Sequence, residues 1–329
     1  MVKFLVIRSS SIGDIVLTTP VIRCLKQQVE GAEIHFLTKQ SYVSLVKHNP
    51  NVDKVLVLKE KLSYTIKEIK QESYDYIIDL HNNLRTFAIK NSTRILSFSF
   101  PKVNFEKWLM VNFKINRLPD KHVVERYFET VKLFDVIYDG KGLELFIPPE
   151  KEIKVSEILP QFKSGYISIA VGAKHETKRI PEWILLEIIK KINCPIILLG
   201  DDKDAKIAEY LTSNLNNSLI YNACGKYDLL ESASLVKQSL LLITADTGLM
   251  HIAAAFSKKI ISIWGNTIPK FGMYPFTTKE NYSIFEVNNL PCRPCSKLGF
   301  NKCPKKHFKC MNEQNVNEII KQIELYLNE

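Results

Sequence analysis

The sequence lacks a long hydrophobic run. None of its apolar stretches approaches the ~18 residues that a membrane-spanning helix needs. The apolar N-terminus is interrupted by Arg8 before it could serve as a signal peptide. We therefore expect a cytoplasmic protein. Apolar residues make up 46% of the 329 residues, so we expect an ordered chain of about two ordinary domains.

A disulfide framework is also missing. The chain has seven cysteines, an odd number. Three of them, Cys24, Cys194 and Cys224, lie within otherwise regular segments. This usage is typical of reduced thiols in a reducing compartment.

The other four cysteines lie close together near the C-terminus. They are Cys292, Cys295, Cys303 and Cys310. Four thiols in this span could hold a structural zinc ion, with His307 as a substitute ligand. The paired C-x2-C…C-x2-C spacing of a typical zinc site is absent, which favours reduced thiols.

Acidic residues are missing from the same stretch, 292–310. It carries Arg293, Lys297, Lys302, Lys305, Lys306 and Lys309. These residues account for more than half of the net charge of +10. Such an excess indicates an anionic partner: nucleic acid, an anionic lipid surface or a phosphorylated substrate. A non-catalytic module for anionic polymers is one hypothesis. However, no nucleic-acid motif is present and the basic residues lie in two distant places, so we expect no nucleic acid as a partner.

The dinucleotide fingerprint G-x-G-x-x-G is absent, which disfavours dehydrogenase chemistry. The first predicted strand, Val2–Ile7, instead runs into Ser9-Ser10-Ser11-Ile12-Gly13-Asp14, a strand-to-helix turn. Asp14 is a candidate general base there. The alternative is a first-turn acid that only stabilises the helix end.

What the sequence does contain is an alternation of strand-like and helix-like segments, which predicts parallel sheets with crossover helices. The predicted strands after the first are 34–37, 55–58, 76–80, 166–171, 195–199, 240–244 and 260–264. Two prolines and a charge run interrupt the pattern at 147–154. We therefore predict two doubly wound domains, residues 1–150 and 151–329, with a cleft between them. Ligands of such sheets bind at the carboxyl ends of strands.

The clearest strand-to-helix turn lies within 240–256. Asp246, Thr247 and Gly248 separate an apolar strand from a helix. Unpaired N–H groups and the helix dipole suit a phosphate at such a turn. His251, one turn into the helix, adds a second donor. Helix capping by the first two residues and a core role for the histidine are the alternatives.

A basic turn, Gly172 to Pro181, also follows a strand and precedes a helix. We expect Lys174, Lys178 and Arg179 to reach the same cleft as Gly248, where they suit a pyrophosphate. Solvated surface lysines are the alternative.

Two other features leave their roles open. Asp202-Lys203-Asp204 could hold a divalent metal on a sugar nucleotide, but it opens a helical segment, which favours capping. The segment 97–122 mixes aromatic and basic residues, as segments on membrane surfaces do. A core helix with a solvated basic face explains it equally well.

These motifs together resemble glycosyltransferase family 9, the bacterial heptosyltransferases that build the inner core of lipopolysaccharide. The resemblance covers nearly the whole chain, and S-I-G-D at 11–14 with D-T-G-L-M-H-I-A-A-A at 246–255 is its most specific part. The other matching segments are RSSSIGDIVLTTPVIRCLK at 8–26, DLHNNLR at 79–85, HVVERYF at 122–128, GAKHETKRIP at 172–181 and NACGK at 222–226.

The resemblance implies two Rossmann-like α/β domains facing a central cleft, the GT-B arrangement. It implies an inverting, metal-independent transfer from ADP-heptose to a lipopolysaccharide inner-core, lipid A-linked saccharide acceptor, with no cofactor. Another nucleotide-sugar donor for a cell-surface polysaccharide is the alternative. The N-terminal domain is expected to take the acceptor and the C-terminal domain the donor, with peripheral contact at the inner membrane face.

The resemblance also implies roles for single residues. Asp14 matches the presumed base, Lys178 with the Thr247–Gly248 turn matches the diphosphate site, and Asp246 matches a position near the donor sugar. The remaining cleft residues are His251 on the donor side and Ser10, Gly13, His81 and Arg85 on the acceptor side. One departure is Ile180, where many members carry an aromatic residue before the proline.

Overall fold

Buried strands rich in Val, Ile and Leu alternate with helices along the chain and form two sheets in which every neighbouring pair is parallel. The computed structural model describes residues 1–215 and 218–328. The chain divides into two units. The first contains Met1–Val103 and Lys121–Pro148, and the second contains Asn104–Asp120 and the chain from Pro149 onward.

The first unit is built on a five-stranded sheet of order β3-β2-β1-β4-β5. Its strands are β1 Val2–Ile7, β2 Ala32–Thr38, β3 Lys54–Val57, β4 Tyr76–Asp79 and β5 Leu96–Ser99. Its α-helices are α1 Ile12–Val16, α2 Thr19–Gln28, α3 Ser44–Lys47, α4 Leu62–Gln71, α5 Leu84–Thr93 and α7 Val123–Phe128. The central strand β1 pairs with β2 and β4, and Ile7 lies opposite Asp79. The carboxyl ends of β1 and β4 are therefore neighbours.

The second unit has a six-stranded sheet of order β11-β10-β9-β6-β7-β8. Its strands are β6 Ile167–Ala170, β7 Ile196–Leu199, β8 Ile220–Asn222, β9 Leu241–Ala245, β10 Lys259–Trp264 and β11 Tyr282–Glu286. Its α-helices are α6 Asn104–Phe113, α8 Val155–Ile158, α9 Glu182–Lys191, α10 Ala205–Leu215, α11 Leu229–Gln238, α12 Gly248–Ala255, α13 Lys309–Asn312 and α14 Val316–Asn328. The adjacent order of β10, β9 and β6 brings three carboxyl ends together.

Each sheet is buried as parallel sheets require, because crossover helices cover its faces. Residues Phe4 to Ile7 of β1 are almost fully buried, as are all residues of β6, β7 and β9. These strands therefore appear in the sequence as continuous apolar runs. The eight strands predicted from such runs are all present. The prediction missed β5, β8 and β11, which are edge or near-edge strands and only half-buried.

Helix α6 departs from what sequence order suggests. It follows β5 in the chain but belongs to the second unit. None of its ten residues is buried, and Phe105, Trp108 and Phe113 are 63%, 50% and 59% exposed. The interpretation of this segment as a core helix is therefore wrong.

Among the described residues, no helix combines the length and the apolar character that crossing a bilayer requires.

Candidate active site

In the first unit, the turn after β1 and the turn after β4 meet at one edge of the sheet. Arg8 follows β1 directly and is buried, 7% exposed. Its guanidinium lies 2.6 Å from Asp14 Oδ1 and donates to the backbone carbonyl oxygens of Ser10 and Leu80. One arginine therefore fixes both turns and the carboxylate between them. We call these residues the β1–β4 cluster.

Asp14 is the third residue of α1, and its carboxylate is held on both oxygens. Oδ2 accepts from the Ser11 hydroxyl at 2.7 Å and from the Ser11 backbone N–H at 3.2 Å. About a fifth of the side chain, 21%, remains exposed. Burial raises the pKa of the carboxyl, but the Arg8 guanidinium and the Ser11 hydrogen bonds outweigh burial and lower the pKa to about 2. Asp14 is ionised throughout the neutral range.

His81 joins this cluster from the turn after β4. Its Nε2 lies 3.1 Å from the Ser9 hydroxyl. Its buried Nδ1 finds no hydrogen-bond partner in the part of the chain that the structure describes. Burial and the nearby Arg8 charge lower the pKa of His81 to about 4, so the ring is neutral at pH 7. A neutral imidazole can donate or accept a hydrogen bond from a sugar hydroxyl.

Asp79 fixes the turn after β4 through hydrogen bonds to the backbone of that turn. It is the last residue of β4 and is fully buried. Its carboxylate accepts from the backbone N–H groups of His81 and Asn82 and pairs with Lys90 at 2.8 Å. The other predicted residues of this side lie around these turns. Ser10 is half-buried, Gly13 is buried in α1, and Arg85 is exposed in the first turn of α5.

In the second unit, the turns after β6, β9 and β10 converge on one carboxylate. Lys178 Nζ lies 2.5 Å from Asp246 Oδ2, and the Thr267 hydroxyl donates to the same oxygen at 2.9 Å. The side chains of Lys178 and Asp246 are 15% and 12% exposed. An ammonium group is thus fixed at the turn where β9 gives way to α12. We call these residues the β6–β9–β10 cluster.

The N-terminus of α12 forms the floor of this cluster. Thr247 is the N-cap residue but its side chain accepts no hydrogen bond from the helix. Its hydroxyl instead contacts Thr244 at 2.9 Å. Gly248 is the first helical residue, so the first-turn N–H groups lie beside a position without a side chain. The alternative of simple capping by Thr247 is not what the structure has. His251 lies one turn further and is buried, 2% exposed.

Arg179 does not behave as the sequence suggested. Its guanidinium pairs with Asp204 at 2.6 Å and with Glu176 at 2.9 Å, so it is not part of the β6–β9–β10 cluster. Lys174 is exposed. The expectation that three basic residues reach the α12 turn is therefore correct for Lys178 and wrong for Arg179. The D-x-D segment, Asp202 to Asp204, forms a short 3-10 turn before α10. Asp201 caps this turn, so the capping interpretation is correct and the capping residue is Asp201.

The four C-terminal cysteines lie in the loop before α13 and at its start. Cys292 Sγ is 3.8 Å from His307 Nε2, and the Cys295 thiol donates to the Cys292 backbone carbonyl. Burial raises the pKa of Cys295 to about 11 and that of Cys310 to about 12. Residues 1–215 and 218–328 contain no group of three or more His, Cys, Asp or Glu residues arranged to hold a metal ion. Because their pKa values lie well above 7, the thiols of Cys295 and Cys310 are protonated at neutral pH.

Sequence reasoning missed three residues of the two clusters: Arg8, Asp79 and Thr267. Each one follows or ends a strand, at the edge where ligands of parallel sheets bind. Arg8 and Asp79 are charged residues that end apolar runs, which is a signal that the sequence offers. Thr267 offers none, because its role depends on β10 lying beside β9.

Two parallel α/β units, one with a fixed carboxylate and one with a lysine beside a helix N-terminus, are of the class whose ligands bind at the carboxyl ends of the strands. The sequence profile of glycosyltransferase family 9 (heptosyltransferase) matches residues 63–305. The chain belongs to this family and is a glycosyltransferase.

Two bacterial heptosyltransferases are similar to this chain. Lipooligosaccharide heptosyltransferase 2 of Haemophilus influenzae is 24% identical over 293 residues, which cover 82% of this chain and 85% of that protein. Lipopolysaccharide heptosyltransferase 1 of Campylobacter coli is 25% identical and covers 80% of this chain and 84% of that protein.

Solved structures agree on the fold. A family 9 glycosyl transferase from Veillonella parvula has a TM-score of 0.79 at 20% identity and covers 99% of this chain and 97% of that chain. The ADP-heptose lipopolysaccharide heptosyltransferase II of E. coli has a TM-score of 0.69 at 19% identity, with coverage of 98% and 99%. The predicted GT-B fold class with two Rossmann-like α/β domains is confirmed.

Proposed function

We propose that this protein transfers heptose from ADP-heptose to a lipid A-linked saccharide of the lipopolysaccharide inner core, with inversion at the anomeric carbon. Family membership and the heptosyltransferase relatives support the reaction class. The observation that carries the proposal further is the β6–β9–β10 cluster. There a lysine and the N-terminus of α12 meet at one strand-end turn.

The second unit is proposed to hold the donor. Lys178 and the N–H groups at Thr247 and Gly248 would bind the diphosphate, because a cation and a helix N-terminus both favour negative charge. In this structure Asp246 orients the Lys178 ammonium. In the complex with the donor, Asp246 is proposed to lie near the sugar. His251 lies one turn into the same helix and is proposed to support the donor side from within the core.

Charge on the diphosphate grows when the anomeric C–O bond breaks. Groups that are already fixed in place lower this barrier most, since they need no reorganisation. Lys178 meets this condition because Asp246 and the turn hold its ammonium before any ligand binds. A lysine in this role removes the need for a divalent cation on the leaving group. We therefore propose that the reaction requires no metal ion or other cofactor.

The first unit is proposed to hold the acceptor, with Asp14 as the base. In a single displacement, the acceptor hydroxyl oxygen attacks the anomeric carbon on the face opposite the diphosphate. The C–O bond to the diphosphate breaks, ADP leaves with the electron pair, and the hydroxyl proton passes to Asp14. One displacement inverts the anomeric centre. A carboxylate with a pKa of about 2 is a weak base, but the hydroxyl becomes acidic only late in the attack.

The residues around Asp14 are proposed to position the acceptor. Arg85 is exposed at the start of α5 and suits an anionic group on the acceptor. His81 offers a neutral imidazole, and Ser10 and Gly13 line the turn that carries the base. We further propose that the protein acts at the inner membrane face, where a lipid-linked acceptor is presented.

The donor is tested directly by a screen of nucleotide sugars. A true donor present at 100 times its Kd should stabilise the fold by about 2.7 kcal/mol, which thermal shift detects. Transfer to a defined acceptor, followed by NMR of the anomeric coupling constant, reads the stereochemistry. The alternative is that a different nucleotide sugar gives the larger shift. That result, with no shift from ADP-heptose, would replace the proposed donor.

A further inference from the structure

Helix α6 and the basic loop, which we define as residues 292–310, lie against one another within the second unit. Lys114, directly after α6, donates through Nζ to the Pro294 carbonyl at 2.8 Å and to the carbonyl of Val111 at 2.7 Å. At the other end of α6, Lys297 Nζ lies 3.4 Å from the Asn104 side-chain oxygen. Two segments that are almost 180 residues apart in sequence thus form one surface.

This surface exposes large apolar side chains. On α6, Phe105 stacks on Trp108 with ring centroids 6.1 Å apart, and Trp108 meets Phe113 edge-on at 5.2 Å. The basic loop adds Leu298 and Phe300, which are also exposed. Isolated exposed apolar residues are common on soluble proteins, but a contiguous patch marks an interaction site.

The charge around the patch is mainly positive, although α6 carries Glu106 in its first turn and Lys309 of the basic loop pairs with Glu313 at 3.4 Å. Three lysines of the basic loop, Lys302, Lys305 and Lys306, are exposed. The loop contains no acidic residue. Arg293 does not add to the exposed charge of this surface, because its guanidinium pairs with Glu286 and donates to the carbonyls of Gly265 and Thr267. Lys302, Lys305 and Lys306 therefore add exposed positive charge to the same loop that contacts α6.

We infer that α6 and the basic loop together form a docking surface for a bilayer of anionic phospholipid. Aromatic side chains suit the boundary between head groups and acyl chains, while lysines suit lipid phosphates. The inference rests on the proposed function in one respect, that a lipid-linked acceptor is met at a membrane. The inference goes further than the proposed function in two respects. It assigns the docking surface to the second unit, and it makes the loop that carries the four cysteines part of that surface.

The charge contribution is tested on vesicles that contain no acceptor glycolipid. The protein is sedimented with phosphatidylglycerol–phosphatidylethanolamine vesicles and with phosphatidylcholine vesicles. A basic residue near an anionic surface contributes about fivefold in affinity, so Lys302→Glu/Lys305→Glu/Lys306→Glu should weaken binding to anionic vesicles by on the order of a hundredfold. The matched control Lys163→Glu/Lys206→Glu/Lys321→Glu changes the net charge equally at exposed sites elsewhere in the same unit and should weaken it far less.

The aromatic contribution is read from tryptophan fluorescence. The chain has three tryptophans; Trp264 is buried, and Trp183 is 45% exposed on α9. Brominated anionic lipid should quench the emission of the Trp183→Phe variant, in which Trp108 remains. The Trp108→Phe variant should lose most of this quenching.

The outcomes separate this inference from the proposed function. Donor affinity and transfer to a soluble, deacylated acceptor should be unchanged in the lysine triple variant. If they are unchanged but both triple variants bind anionic vesicles equally, the docking surface is wrong and the proposed function stands. Binding only to vesicles that contain the acceptor glycolipid would also overturn it, because the surface would then recognise the acceptor and not the bilayer.

Discussion

Asp14 combines a fixed position with a low affinity for protons. Arg8 and Ser11 hold both carboxylate oxygens, yet part of the side chain remains open to solvent. An ion pair of this kind keeps the carboxylate charged and oriented, but it also makes the carboxylate a weaker base. The proposed base is thus always in the form that can accept a proton, and its strength depends on how far the attacking hydroxyl has become acidic.

We predict that Asp14→Asn lowers kcat by ~10²–10⁴ and leaves the affinity for the donor nearly unchanged. The amide keeps the size and shape of the side chain but cannot take the proton. It also leaves Arg8 buried without its carboxylate, so the melting temperature should fall, and kinetics must be measured well below it. Ser11→Ala is the matched control, because it removes a hydrogen bond and keeps the carboxylate. A near-wild-type kcat in the folded Asn variant means that the base assignment is wrong and Asp14 only stabilises the helix end.

The pH dependence gives a second test at this scale. The pKa of Asp14 is about 2 in the folded protein and ~4 in an unfolded chain, so the ion pair stabilises the fold above pH ~4 and this contribution is lost as the pH falls toward 2. Arg8→Met removes the cation while burial remains, so the pKa of Asp14 should rise. The acid limb of kcat/KM should move up by at least one pH unit. Arg8→Lys keeps the charge and should leave the limb near its wild-type position. A limb that stays in place in both variants would contradict the role of Arg8.

Among the elements, the turn before α9 and the N-terminus of α12 act as one unit. Lys178 comes from the first, and Asp246 lies two residues before the first residue of α12. Because β6 and β9 are neighbours, their carboxyl ends bring the two turns together, although Lys178 and Asp246 are 68 positions apart in the sequence. The position of the proposed donor site therefore depends on strand order.

We predict that Lys178→Ala raises KM for the donor and lowers kcat together. The cation meets charge that is present in the bound donor and that grows in the transition state, so ~2–4 kcal/mol should be lost from kcat/KM. Lys174→Ala, which removes an exposed lysine from the same turn, should change either parameter by less than about threefold, as exposed charges contribute little. Steady-state kinetics on both variants decide the matter, and equal losses would refute a specific role for Lys178.

The sequence predicted the elements that are buried on both faces and the turns that follow them. Continuous apolar runs such as Leu241–Ala245 can be recognised locally, and so can the polar turn after them. Edge strands such as β11 are half-buried, and their pattern is diluted by polar residues. The partner of a charged side chain is also not local. Arg179 lies one residue from Lys178 but points to Asp204, and only the tertiary fold decides between these directions.

The unit to which α6 belongs could not be predicted either. Its residues are neither periodic like a core helix nor polar like a linker, because its aromatic side chains are exposed. Its place depends on contacts with carbonyl groups of Cys292 and Pro294, which have no signature in the sequence.

For the whole molecule, we predict that activity persists in EDTA. The charge on the leaving diphosphate is proposed to be met by Lys178 and the α12 N-terminus, and the D-x-D segment is a 3-10 turn capped by Asp201. Turnover should be measured before and after chelation, with circular dichroism and zinc release followed in parallel. Complete loss that Mg²⁺ or Mn²⁺ restores would refute metal independence. Loss with unfolding and released zinc would instead assign a structural ion to the four C-terminal cysteines.

The path of the chain between the two units has a consequence for how such enzymes recombine. The chain changes unit after Val103, after Asp120 and after Pro148. A hybrid gene with a single crossover near residue 148 would take α6 from one parent and the basic loop that Lys114 contacts from the other. Only an exchange with three crossovers transfers the second unit intact. Simple gene fusion between relatives should therefore separate two segments that contact one another, and hybrids intended to exchange the second unit should carry residues 104–120 along with the C-terminal half.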